Sequence, residues 1–312
     1  MHTPPSGKQS TLELADQQVV VTEVGAALRS YRVAGTEVLD GYAAEEMCTG
    51  ARGQTFVPWP NRIAEGSYRF ADQDHQLPLT EPGAHNAIHG LTRWADWHLL
   101  HHNGVSMRLG HHLYPQPGYP YALRAEITYR LSGHGLRVET TTTNMGATDC
   151  PYATGAHPYL SPGDGNRVDD LDIRLNAGTW YPTDERGIPT GRRPVEGTDR
   201  DLRQRARLGE TGLDTAYTDL AWDEDGCTRL SVWRPDGWVT HLWLDDAYRY
   251  LELFTGDSLP ETDRRRRGLG AEPMTAAPNA FRTGDGLVRL APGQTHTAVW
   301  GLRLEPATSI ST

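Results

Sequence analysis

Runs of alternating apolar and polar residues, each closed by a glycine or proline turn, constrain the fold of this chain more than any other feature. Val19–Val24 and Ala27–Val33 alternate around Gly25. Trp97–His102 and Val105–Leu109 flank Asn103-Gly104, a dipeptide that strongly favours a two-residue hairpin turn. Leu123–Leu131 and Leu136–Thr143 face each other across Ser132-Gly133-His134-Gly135. Within them Thr140–Thr143 are consecutive β-branched residues, which suit a strand better than a helix. The pattern continues through Leu171–Leu175, Arg229–Trp233, Trp238–Leu244, Tyr250–Phe254, Leu287–Leu290 and His296–Leu304. No long segment with the helical period competes, so an all-β fold of the sandwich or barrel class is expected. A chain of 312 residues can form one large β domain, and neither a low-complexity linker nor a fixed-period repeat divides it. One domain over residues 11–307 is expected, with 1–10 a disordered leader around Pro4-Pro5.

Charge and cysteine usage remove several function classes. The formal net charge is −10, the opposite of a nucleic-acid footprint. Met1–Ser10 have no apolar run of the signal-peptide kind, and no later stretch has the apolar length of a membrane span. A cytoplasmic protein without nucleic-acid or membrane partners is expected. Cys48, Cys150 and Cys227 are widely spaced without a CxxC pair, so neither a zinc finger nor a disulfide framework is indicated. The pairs His101-His102 and His111-His112 fall on adjacent expected strands. Neighbours on a strand face opposite ways, so each pair offers one ligand per face, and a metal centre is not expected there.

Several connections are long: 43–66, 79–92, 161–170, 182–213 and 256–283. Such loops on a β scaffold are where binding groups usually sit. The first carries Pro58-Trp59-Pro60-Asn61-Arg62, an amide and a guanidinium side by side with many donors for hydroxyl groups. The second carries Asn86-Ala87-Ile88-His89-Gly90, where the glycine permits close backbone approach to a ligand. Thr154-Gly155-Ala156-His157-Pro158-Tyr159 sets a histidine before a proline, which holds its backbone extended and fixes where the imidazole points. Glu272 in Ala271-Glu272-Pro273-Met274-Thr275 is held the same way, a carboxylate in a constrained loop. Each segment alone is equally what an ordinary turn or a satisfied side chain would show.

Their order is more informative. Asn61-Arg62, His89-Gly90, His157-Pro158-Tyr159 and Glu272-Pro273-Met274-Thr275, followed by Pro278-Asn279-Ala280-Phe281, resemble the aldose 1-epimerase (galactose mutarotase) family over nearly the whole chain. The resemblance implies a large β-sandwich with extra strands, the galactose mutarotase-like supersandwich. It implies interconversion of the α and β anomers of a free aldohexose, with neither cofactor nor metal, by a monomer or homodimer. In that family the histidine of the His-Pro-Tyr segment protonates the ring oxygen, a role that falls to His157. The glutamate takes the proton of the anomeric hydroxyl, which falls to Glu272. Asn61, Arg62, His89, Tyr159 and Asp214 match positions that hold the substrate. Ring opening of a hemiacetal needs one proton added and one removed, and each positioned group contributes typically ~10²–10⁴-fold. A glycoside hydrolase would instead need paired carboxylates.

Two further readings compete. Arg264–Arg267 could fork onto the phosphate of a sugar phosphate, although a solvated loop is the simpler reading of that run. A non-catalytic sugar-binding protein would need no acid–base pair, which both His157 and Glu272 supply.

Overall fold

The computed structural model describes residues 3–307. Period-two alternation becomes antiparallel pairing throughout. The larger of two main sheets has nine strands, in the order 98–102, 106–113, 123–132, 135–144, 295–306, 238–244, 228–233, 172–175 and 206–207. Its hairpins match the expected ones. Leu123–Ser132 pairs with Gly135–Asn144 in unbroken register, and alternate residues of both strands are buried. At the Asn103-Gly104 turn the Asn103 carboxamide oxygen accepts the Ser106 N–H at 2.8 Å.

The second main sheet has eight strands. Along it lie 193–194, 177–180, 214–220, 250–254, 269–274, 155–156 and 55–56, and 159–160 also pairs with 269–274. A four-stranded sheet of 9–14, 17–22, 28–33 and 36–37 covers one side. Strands from both main sheets feed one hydrophobic cluster, which includes Tyr129, Val138, Leu242, Leu251, Leu253 and Leu302. Burying side chains of this size stabilises by roughly 1.5–3 kcal/mol each before chain entropy is counted. Inside it the buried Tyr129 hydroxyl is matched, donating to the Ala26 carbonyl at 2.6 Å. This is the all-β sandwich that the alternation and the resemblance anticipate.

Three expectations are corrected. Residues 3–10 of the expected leader are ordered: Ser6 and Gly7 are buried, the Val24 N–H donates to the Ser6 carbonyl at 3.0 Å, and a strand starts at Gln9. Met1 and His2 lie outside the described residues. The region 256–283 is not a continuous loop, because Leu269–Met274 is a central strand with every residue buried. Glu272 therefore stands on a strand; the extended backbone that Pro273 imposes is the strand's own conformation. Nor is Arg264–Arg267 a solvated loop. Arg264 donates to the Gly41 carbonyl and Glu46, Arg265 to the Leu259 carbonyl, and Arg266 to Asp169, Asp257 and the Gly209 carbonyl. Arg267 lies 3.5 Å from Asp40. No helix among the described residues is long and apolar enough to cross a membrane.

Candidate active site

The site is built on Leu269–Met274, which runs between Tyr250–Phe254 on one side and the short strands Gly155–Ala156 and Tyr159–Leu160 on the other. Both short strands pair with it and leave His157-Pro158 between them. The backbone of His157 turns to the segment just before the strand Thr55–Phe56 instead: its N–H donates to Gln54 O at 3.1 Å and its carbonyl accepts from Gly53 at 2.8 Å. The imidazole is thereby aimed over the central strand. Gly270 makes room for it, since a Cβ there would lie 3.2 Å from His157 Cε1. Glu272, two residues along on the same face, meets the ring, with Oε1 3.0 Å from His157 Nε2.

Both groups are nearly sealed from solvent, at 4 % and 3 % exposure, so their charges are not shared with water. Burial drives the His157 imidazole well below its ordinary value, and the Arg52 and Arg93 charges add to the effect. Burial raises the Glu272 carboxyl well above its ordinary range, helped by Asp214 and opposed by Arg62 and Arg93. Both shifts disfavour separate charges, and the pair is best described by protons held jointly across its contact. A third buried carboxyl, Glu252, stands directly opposite Glu272 on the adjacent strand. Burial raises it too, with Asp214 and Glu272 adding to the shift.

The other residues singled out in the sequence converge here. His89 and Asn61 both adopt left-handed backbone, with φ of 61° and 52°. They lock each other in place: the Asn61 N–H donates to His89 Nδ1 at 3.2 Å, and the His89 N–H donates to the Asn61 carbonyl at 3.0 Å. A backbone N–H can only donate, so Nδ1 is the acceptor and the neutral ring carries its proton on Nε2. The ring stacks on Phe56 at 3.9 Å. Gly90 does not approach a ligand as its sequence setting suggests. It approaches backbone, where a Cβ would meet the Val57 carbonyl at 2.4 Å. The Asn61 side chain serves the scaffold, accepting the Arg62 N–H at 2.8 Å and reaching Glu252 at 3.4 Å.

Arg62 is gripped by Glu81, with Nε–Oε2 at 3.0 Å and Nη2–Oε1 at 3.2 Å, and lies 3.8 Å from Asp214. Tyr159 lies under His157 as a parallel platform, with centroids 4.7 Å apart and planes within 4°. Its hydroxyl is committed to the Gly50 carbonyl at 2.9 Å, and the Arg52 guanidinium covers its ring at 4.1 Å. Asn61, Arg62, His89, His157, Tyr159, Asp214 and Glu272 all border one cavity of about 270 Å³. That is near the lower end of small-molecule sites, ~300–1,000 Å³.

Glu81, Arg93 and Phe254 are among the bordering residues that escaped the sequence reading. Glu81 precedes Pro82-Gly83 and looks like a turn residue. Arg93 follows directly on the 79–92 loop, and Phe254 ends an ordinary alternating strand, so only their loop and strand context pointed this way.

By donor chemistry a metal ion could sit among His89, His157 and Glu272, whose ligand atoms all lie within 4.8 Å of one another. The histidine pairs on the strands 98–102 and 106–113 make other contacts. His102 Nε2 is 2.9 Å from the Thr11 carbonyl, and His111 Nδ1 is 3.0 Å from that of Asp96.

A family model described as aldose 1-epimerase matches residues 9–303. The chain belongs to the aldose 1-epimerase family. It is 32 % identical over 295 residues to the uncharacterized Escherichia coli protein YihR, covering 93 % of this chain and 91 % of that one. Human galactose mutarotase is 30 % identical over 209 residues, covering 64 % of this chain and 56 % of the human protein. Among solved structures, the aldose epimerase homologue of C. elegans superposes with a TM-score of 0.85 at 18 % identity, over 96 % of this chain and 100 % of that one. Galactose 1-epimerase of Lactobacillus acidophilus gives 0.80 at 22 % identity, over 96 % and 95 %. These superpositions establish the shared fold. Membership in the family places the chain among isomerases that act on carbohydrates.

Proposed function

We propose that this chain interconverts the α and β anomers of an unphosphorylated aldohexose, with His157 as general acid and Glu272 as general base. The observation that carries the reading is the 3.0 Å contact between His157 Nε2 and Glu272 Oε1 inside a cavity that Arg62, His89 and Asp214 also border. The ring oxygen and the hydroxyl oxygen of a hemiacetal share one carbon. Two groups this close together can therefore serve both oxygens at once. A sugar entering the cavity parts the pair. The proton that the pair shared leaves with His157 and passes to the ring oxygen, while Glu272, left as the carboxylate, takes the proton of the anomeric hydroxyl. The C1–O5 bond breaks as the carbonyl forms. Rotation about C1–C2 and the reverse transfers close the ring on the other face. The Nε2–H of His89, the Arg62 guanidinium and the Asp214 carboxylate hold the remaining hydroxyls, keeping the open chain near its reactive geometry. Tyr159 supports His157 from below.

The charge balance favours a neutral sugar. Glu81 and Asp214 border the cavity against Arg62 and Arg93, and the His157–Glu272 pair with its shared proton adds no net charge. Arg264–Arg267, the run that could have bound phosphate, is absent from the cavity lining and engaged elsewhere. Polarimetry on fresh α-D-glucose, α-D-galactose and glucose 6-phosphate tests the reading. At least one free sugar is expected to equilibrate far faster than in buffer, with the phosphate at least tenfold poorer. Binding of sugar by calorimetry at the uncatalysed rate would leave a binding protein, and a preference for the phosphate would overturn the substrate class.

A further inference from the structure

One buried carboxyl group, that of Glu252, takes no part in the proton transfers. Its place follows from strand register. Cross-strand partners share a face of the sheet, and so do residues two apart along a strand. Glu252 pairs with Glu272 on one side and with Ala216 on the other. Phe254, two residues on, pairs with Gly270 and with Asp214. One face of the sheet therefore carries two rows, Glu272–Glu252–Ala216 and Gly270–Phe254–Asp214. Asp214 is the diagonal neighbour of Glu252, within reach of a long side chain, and the two side chains are hydrogen-bond partners.

Glu252 is 3 % exposed and is not among the residues that border the cavity. It does not meet the sugar, so any part it has in the reaction runs through groups that do. The charged groups facing it are Asp214, Glu272 and Arg62. Arg62 is already gripped by Glu81. Two carboxyl groups in hydrogen-bond contact away from water do not both ionise. Asp214 is the one placed to carry the charge, since its side chain is 46 % exposed and lies 3.8 Å from Arg62. Glu252, sealed in the sheet, then keeps the proton.

The reaction sharpens this division. Once a sugar parts the His157–Glu272 pair, Glu272 is a carboxylate directly opposite Glu252. A second negative charge there would oppose it. A neutral acid also matches what surrounds Glu252. One oxygen accepts the Asn61 amide N–H at 3.4 Å, and the other has an O–H to give to Asp214.

We propose that Glu252 is a positioning residue that stays a neutral acid and donates its O–H to the Asp214 carboxylate. It thereby aims Asp214 at the sugar hydroxyls and leaves Glu272 the one buried carboxyl on this face that ionises during turnover. What Asp214 holds rests on the anomer-exchange reading, and the test separates the two. Wild type, Glu252→Met and Glu252→Gln are compared by polarimetry on the preferred aldose. Infrared spectra at neutral pH, taken on the same proteins and on Asp214→Ala, read the carbonyl stretch of protonated carboxyl groups.

Glu252→Met has neither donor nor acceptor. KM is expected to rise about tenfold, as one hydrogen bond to a charged group would allow, with kcat within about threefold. Glu252→Gln puts an N–H where the O–H was and keeps an oxygen for Asn61, so it is expected to bring KM back to within about threefold of wild type. A side chain that merely filled space would give the two variants the same KM. Wild type is expected to show a protonated-carboxyl band that Glu252→Gln lacks. Asp214→Ala is expected to move that band to higher frequency, because the O–H loses its acceptor. Equal KM losses in the two variants would overturn the proposal, as would a collapse of kcat in Glu252→Gln or the absence of the band. If Glu252→Met does not fold, Glu252→Gln and the infrared band decide. If the wild type turns over no sugar, the anomer-exchange reading fails, and the band with its response to Asp214→Ala still decides whether Glu252 is a neutral donor to Asp214.

Discussion

Glu81→Gln removes the partner of Arg62 without removing the cavity wall. In the native arrangement both carboxylate oxygens serve the guanidinium, at 3.0 and 3.2 Å, and Oε2 also accepts the Asn86 amide at 2.9 Å. An amide keeps one acceptor, loses the charge, and turns its NH₂ toward groups that are themselves donors. A hydrogen bond to a charged group is worth ~1.5–3 kcal/mol. The side chains of Arg62 and Glu81 are 18 % and 30 % exposed, so solvent screening reduces this toward the lower end. At ~1.4 kcal/mol the change corresponds to about tenfold in binding. Arg62 is then free to swing toward Asp214, 3.8 Å away, and both leave their positions beside the sugar. Neither touches the proton-transfer pair, so the loss is uniform binding of ground and transition states. KM for the preferred aldose is expected to rise about tenfold, with kcat within about threefold. Initial polarimetric rates over a range of fresh α-anomer concentrations measure both constants. A collapse of kcat at constant KM would place Glu81 in the chemistry and refute this account of Arg62.

The remaining expectations follow from the same geometry. Tyr159→Phe keeps the platform under His157 and loses only the bond to Gly50, so kcat is expected within threefold of wild type. Tyr159→Ala removes a stacking contact worth ~0.5–1.5 kcal/mol and lowers kcat up to about tenfold; a large loss in Tyr159→Phe would mean that the hydroxyl acts on the substrate. Burial lowers the pKa of His89, so below about pH 6.5 the unfolded chain binds a proton that folded His89 refuses. The His89 contribution to stability therefore falls as pH drops from 7 to 5, and His89→Asn should lose less over that range than wild type in thermal melts; an equal loss would contradict the assignment. Anomerase activity should survive dialysis against EDTA. Activity lost there and restored by Zn²⁺ would give the His89–His157–Glu272 cluster a metal instead.

Most of the fold was legible because most strands expose one face. Leu123–Ser132 alternates in sequence because it alternates in burial. The strand that matters most did not announce itself. Leu269–Met274 is buried on both faces, so Leu-Gly-Ala-Glu-Pro-Met carries no period-two signal, and its glycine and proline read as loop. The pre-proline histidine and glutamate could be singled out by residue type and order. Their 3.0 Å contact could not, because it depends on Gly270 and on two short strands gripping the same neighbour. Glu81 was invisible for a different reason: its function lies in its contact with Arg62, 19 positions away in the chain. The arginine run was visible but misread. Consecutive like charges suggest solvent, whereas here Asp40, Asp169, Asp257 and several carbonyls gather them into a brace.

The central claim is that one buried pair moves both protons of ring opening. Its most direct test is the anomer exchange rate at equilibrium, read by two-dimensional exchange NMR on the preferred aldose with wild type, His157→Gln and Glu272→Gln. Each variant should keep its fold and its sugar binding and lose ~10²–10⁴-fold in exchange rate. The double variant should be little slower than either single one, because the two groups act as a unit. Exchange near the wild-type rate in either single variant would contradict the claim.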